Sequence, residues 1–279
     1  MEIAVADERA YWIKETLALE QAQGRAWAKK ADAFGTIAKF LHRPKDAEIE
    51  LTYSEKRYEP FWHVVCHARY VYDRMRKYTI NVEGSEVKAL TIHGEKYEVQ
   101  EKPKPHVVLP ATEHCSEEYS CEVFVDATSG DRQDWAGYLK YDSTLIEDID
   151  NFAPEGAIVV PPEVRASFVV RETLGNLMKV MQADTVHEEV VEVEIVDLYY
   201  RPIYAFEYLW RPKDKRAVVE FDGLTGEIRT GGRAIRQQVG KVLNKELLFD
   251  IGVDTVDLFV PGGGIAIKLV RAIAERRKK

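Results

Sequence analysis

Glu48-Ile-Glu-Leu51 with Tyr58-Glu-Pro60-Phe-Trp62, and Glu192-Val-Glu-Ile195 with Tyr200-Arg-Pro202-Ile-Tyr204, are the stretches whose reading decides the fold. The first runs on into an aromatic strand ending at Val82-Glu-Gly84, the second into one ending at Phe221-Asp-Gly223. The parts come in the same order, so the chain reads as an internal repeat. Both regions are dense in β-branched and aromatic residues, the composition of strands, with Gly84 and Gly94 placed as turns of a meander in the first.

A stripe at helical spacing precedes each copy. In residues 8–41, Trp27, Phe34 and Leu41 recur every seventh position, with Ala31 and Ile37 or Ala38 between them and a break near Gly24, before Pro44 stops the helix. In residues 162–183, Val164, Phe168, Leu174, Leu177, Met178 and Met181 follow the same rule behind Pro161-Pro162. Neither a lone helix nor a small sheet can bury its apolar face unaided. The expected class is therefore α+β: two repeated helix-plus-antiparallel-sheet units, followed by a basic C-terminal helix.

The expected division is 1–104 for the N-terminal helical segment with the first sheet, 105–160 for a connecting hairpin, loop and short helix near Asp131 to Leu139, 161–232 for the second helix and sheet, and 233–279 for a helical tail. Glu101-Lys-Pro-Lys-Pro105 is the best linker, since proline cannot donate to a neighbouring strand.

The 279 residues are 46% hydrophobic and 31% charged, an ordinary globular composition with enough chain for a real core. A net charge of -8 argues against a protein that coats nucleic acid, which needs a concentrated positive surface. Three cysteines (Cys66, Cys115, Cys121), an odd and small number, fit a reducing compartment. Residues 1–20 alternate charged and apolar residues and hold no signal-peptide core, so a cytoplasmic location is expected.

Val125-Asp126-Ala-Thr-Ser129-Gly130 and Phe221-Asp222-Gly-Leu-Thr225-Gly226 share a strand followed by Asp-x-x-Ser/Thr-Gly. There the Asp carboxylate can accept from amides two and three residues on, and the last glycine can take positive φ. The stretch Tyr204–Gly231, YAFEYLWRPKDKRAVVEFDGLTGEIRTG, resembles the last hairpin of a PepSY domain. The resemblance covers residues 187–232, and Glu83-Gly84-Ser85 departs from the turn in the first copy. It implies a small binding or inhibitory module, of a family that usually acts outside the cytoplasm.

His106, His114, Cys115 and Cys121 carry the types of atom that zinc takes, although Cys-x5-Cys is not a knuckle spacing. The same region offers Cys115 beside His114 for thiol chemistry, without a readable nucleophile–base–orienter set. His63 and His67 would share a strand face about 13 Å apart, too far to meet at one ion. Gly262–Gly264 before an apolar run could greet a phosphate, yet the Gly-Lys-Ser/Thr ending of a P-loop is missing. Ile265, Ile267, Leu269, Val270 and Ile273 ahead of Arg276-Arg-Lys-Lys279 suggest an amphipathic helix over 265–279 that could rest on an anionic membrane or pack on its own core.

Tyr58, Trp62, Tyr200, Tyr204 and Trp210 are the candidate binding aromatics, part of a Tyr- and Trp-rich surface on the two sheets. The leading reading is a non-enzymatic binding or adaptor protein with an unknown protein partner and no cofactor. The alternatives are a zinc-dependent hydrolase-like enzyme using the His106–Cys121 segment, and a peripheral membrane protein attached through 265–279.

Overall fold

A computed structural model describes residues 2–35, 44–178, 181–230, 243–250, 256–258 and 265–271. The chain begins with β1 (Glu2–Val5), β2 (Arg9–Ile13), α1 (Leu19–Lys29), β3 (Ile49–Asn81), β4 (Ala89–Ile92), β5 (Glu95–Glu98), β6 (His106–Asp126), β7 (Ser143–Leu145) and β8 (Ala157–Val159). It continues through α2 (Ala166–Leu177), β9 (Thr185–Trp210), β10 (Lys215–Asp222), β11 (Ile228–Thr230), α3 (Lys245–Leu248), β12 (Val256–Leu258) and β13 (Ile265–Arg271).

Eleven of these strands form one sheet. At its centre β9 pairs antiparallel with β3, from Ile49 opposite Trp210 to Asp73 opposite Thr185. The other edge of β9 takes β1 and β2 in parallel and β10 antiparallel. The other edge of β3 takes β8 in parallel at Lys56–Tyr58 and β6 antiparallel from Phe61 to Asn81. β7 adds to β2, β11 to β10, and β13, with β12 beside it, to β1. β4 and β5 form a separate hairpin that turns through His93 and Gly94, both at positive φ.

Strand alternation sorts the side chains of this sheet. On one face lie Tyr58, Trp62, Val64, Cys66, Tyr200, Tyr204, Phe206 and Tyr208, all essentially buried. Helices α1 and α2 cover this face. Ala22 and Ala26 of α1 pack among Tyr204, Phe206, Tyr208, Trp210 and Phe221, and the small alanine side chains let the helix approach the aromatic layer. Val169, Val170 and Leu174 of α2 pack among Trp62, Val64 and Cys66. The opposite face carries a smaller cluster of Phe61, Phe124, Trp135 and Tyr138, beside a group of charged residues.

The architecture corrects the expected fold class. Instead of two helix-plus-sheet units there is one continuous, strand-dominated sheet, because the two repeated stretches pair with each other. Tyr58 stands opposite Pro202, Glu59 opposite Arg201 and Pro60 opposite Tyr200, so an approximate twofold axis passes between Glu59 and Arg201. About this axis Tyr-x-Pro maps onto Tyr-x-Pro, β6 onto β10, and the turn after Asp126 onto the turn after Asp222. Phe61 opposes Asp126 as Ile203 opposes Asp222. The Ala127 amide donates to the Pro60 carbonyl at 3.1 Å and the Gly223 amide to the Pro202 carbonyl at 2.9 Å.

The helices are exchanged across the axis. α1 precedes the first copy in sequence but lies on β9 and β10, whereas α2 precedes the second and lies on β3 and β6. Their entrances match: the amides of Thr16 and Leu17 donate to the Gly223 carbonyl, and those of Glu163 and Val164 to the Ala127 carbonyl.

Other expectations also change. The N-terminal helical stretch begins as β2, and α1 runs through Gly24 without a break. The expected meander over 48–99 is a single strand of 33 residues followed by the β4–β5 hairpin. The short helix near Asp131 to Leu139 is a 3-10 turn at Ala136–Lys140. In place of the basic C-terminal helix, residues 265–271 form β13, parallel to β1 with Lys268 opposite Glu2. Ile37, Ala38 and Leu41, the Gly262–Gly264 run and residues 272–279 lie outside the described residues. No helix among the described residues is long and apolar enough to cross a membrane.

Candidate functional site

The five candidate aromatics do not form a surface. Tyr58, Trp62, Tyr200, Tyr204 and Trp210 are exposed by 1%, 0%, 0%, 1% and 4%. All five project from the helix-covered face, so their alternation marks core. The Trp62 indole donates to the Val164 carbonyl at 2.8 Å and the Tyr204 hydroxyl to that of Leu17 at 2.8 Å, which ties the sheet to the two helix entrances.

The four candidate metal ligands all lie on β6, where alternation sends His106 and His114 to one face and Cys115 and Cys121 to the other. His106 Nδ1 is 2.7 Å from the Lys104 carbonyl, and His114 Nδ1 is 2.7 Å from Asp73 Oδ1. Cys115 and Cys121 stand about 20 Å apart along the strand. The structure does not bring the four together, and among the described residues no group of three or more His, Cys, Asp or Glu side chains could hold a metal. His63 and His67 face Glu122 and Glu118 at 2.8 and 3.3 Å. Asp73 accepts from both His187 and His114, which holds its carboxyl below the usual range.

At the twofold axis the charges form a closed network. Arg57 Nη1 reaches Glu55 at 3.0 Å and its Nε reaches Glu59 at 2.8 Å, with Glu220 on its remaining nitrogen. Arg201 reaches Glu59 at 2.9 Å, the Tyr138 hydroxyl at 3.0 Å and Asp222 at 3.3 Å, and its guanidinium lies 4.3 Å from the centre of the Trp135 ring. Burial opposes both charges, but the facing carboxylates outweigh it and raise both pKa values. No buried side-chain nitrogen or oxygen of these residues is left without a hydrogen-bond partner, so the cluster reads as structural.

What the described residues leave open is an edge. β6 pairs only with β3 among the described residues. Within that ladder the even-numbered residues of β3 exchange main-chain hydrogen bonds with β6, as the bonds Ala127 to Pro60 and Val82 to Pro105 show. Odd residues of β6 therefore turn their amides and carbonyls toward β3, and even residues turn theirs outward. The ends of the strand agree. His106 exchanges bonds with Gln100, the Phe124 carbonyl accepts from Gln133, and the Asp126 amide donates to Asp131. Pro110 occupies an outward position, where its missing N–H costs no ladder bond.

Between these ends Thr112, His114, Ser116, Glu118, Ser120 and Glu122 are all exposed and present an outward row of main-chain donors and acceptors. Carboxylates crowd the row: Glu118 and Glu122 side chains are 70% and 51% exposed, and Glu113 and Glu117 lie on the other face. Sequence reasoning missed this edge. With acids on both faces, 113–122 lacks the apolar alternation that marks a half-buried strand, and it reads as a polar connector.

Comparison with known proteins finds no matching family model, no significantly similar curated protein and no significantly similar solved structure.

Proposed function

We propose that the chain is a non-enzymatic binding protein that captures an extended, basic segment of a partner protein by strand addition to β6. The outward row of main-chain groups from Thr112 to Glu122 carries this reading, since an edge of that length that is unpaired among the described residues is a ready template for another strand. The acidic side chains along it supply the charge preference. The resemblance of residues 187–232 to PepSY domains, a family of binding or inhibitory modules, supports the same class of function. The three cysteines, all free thiols, support a cytoplasmic setting.

The test uses a synthetic peptide of alternating Lys and Val, long enough to cover residues 112–122, with fluorescence anisotropy as the readout. Wild type binds it and binds a Glu-Val peptide far more weakly. Ser116→Pro and Ser120→Pro together remove two outward donors without touching the β3–β6 ladder and abolish binding. Equal binding by the double variant would refute strand addition, and indifference to peptide charge would refute the basic preference.

A further inference from the structure

Cys66 and Cys121 stand directly opposite each other on β3 and β6. Alternation sends both side chains to the helix-covered face, where Cys66 is fully buried and Cys121 packs half-buried against the same cluster. An even residue of β3 opposing an odd residue of β6 is a hydrogen-bonded pair, with Cα atoms about 5.5 Å apart. That lies near the middle of the roughly 4.4–6.8 Å that a disulfide spans. Opposed Cβ atoms start about 4.5–5.5 Å apart, and closure to roughly 3.5–4.5 Å needs a shift of about 1 Å. The β3–β6 register is regular here, but on the other edge of β3 the β3–β9 register slips between Val65 and Cys66 and leaves Glu194 unmatched. Cys115 opposes Tyr72, out of reach of either thiol.

We infer that Cys66 and Cys121 form a dithiol site that a small disulfide such as glutathione disulfide converts to a cross-strand disulfide. Cys121, the more exposed of the two, loses its proton to solvent and attacks one sulfur of glutathione disulfide. This gives a mixed disulfide on Cys121 and one glutathione thiolate, which takes up a proton. The Cys66 thiol then loses its proton and attacks the Cys121 sulfur, which releases the second glutathione. Two protein thiols are oxidised and one glutathione disulfide is reduced to two glutathione molecules, so atoms and electrons balance. Burial pushes the Cys66 thiol up to about 12, which makes it the slower, resolving partner.

The test treats the native full-length chain with excess glutathione disulfide, then blocks free thiols and maps peptides without reduction. Free thiols fall from three to one, the chain becomes lighter by two hydrogen atoms, and the Cys66 and Cys121 peptides run as one linked species. Cys115→Ser, at the rim of the cluster, keeps the link, whereas Cys66→Ala stops at a glutathione adduct on Cys121. A wild-type chain that keeps all three thiols, retains glutathione on Cys121 or links Cys115 instead would overturn the inference.

Discussion

Arg201 and Glu59 show what a symmetry axis demands of single residues. Whatever occupies the two equivalent positions must face itself across β3 and β9, and like charges directly opposed destabilise a sheet. One copy carries Glu59, the other Arg201, and the pair closes at 2.9 Å. Arg201→Ala leaves the buried Asp222 without its cation and Glu59 with Arg57 alone, so urea unfolding should show a loss of about 3–5 kcal/mol. A loss well under that range would mean that solvent already neutralises the cluster. Asp197 tests a linkage opposite in sign to that of Asp73. Burial raises its pKa although Arg9 holds it at 2.9 Å, so the folded state favours the proton more than the unfolded state does. Its contribution to stability is greatest below the ordinary aspartate value and is lost as pH rises through the elevated one. The stability of Asp197→Asn relative to wild type should therefore improve as pH rises across that window, and a flat or falling difference would contradict the sign. At this scale the sequence was legible at the turns: Asp126 accepts from the amides of Thr128 and Ser129, Asp222 from those of Leu224 and Thr225, and Gly130 and Gly226 have φ of 83° and 75°. Arg57 and Arg201 were not legible, because a cation within a strand reads as a solvent-facing residue until its opposite strand is known.

Among elements, β6 gives the sharpest contrast. Ser116 and Cys115 are neighbours, yet one amide points out and the other into the ladder opposite Tyr72. Cys115→Pro should cost about 1–3 kcal/mol more than Ser116→Pro, the penalty of a main-chain acceptor left unpaired. Thermal denaturation of the two variants compares them, and equal melting would place the outward row on the wrong set of residues. The presence of two helices could be read from spacing, but not the face that each buries: Trp27 and Phe168 of the expected stripes are exposed, and α1 buries Ala22 and Ala26 instead. Which strands each covers could not be read, because the exchange of α1 and α2 depends on contacts that spacing does not encode. In β13 a usable signal went the other way. Ile265, Ile267 and Leu269 alternate, the period of a strand, while the basic residues that follow favoured a helix.

For the molecule as a whole, exchange makes each half incomplete without the other. Residues of α1 stabilise β9 and β10, so damage near the start of the chain is felt far along it. Ala26→Glu forces a carboxylate among Tyr204, Tyr208 and Phe221. Hydrogen exchange should then lose protection over residues 204–221 before it does over 61–73. Loss confined to residues 19–29 would show that the helix is dispensable to the sheet. Equilibrium unfolding of the wild type should follow one transition by both tryptophan fluorescence and far-ultraviolet dichroism, and two separated transitions would argue for independent halves.

The placement of β1 has a mechanical corollary. It lies parallel to β13, with Glu2 beside Lys268 and Val5 beside Arg271. If the chain is stretched between Glu2 and Arg271, the two strands are dragged past each other along their length, and their cross-links bear the load together instead of opening one by one. Attachment at Glu2 and at Asp126, outside this lap joint, should let the same molecule yield at a lower force in single-molecule extension.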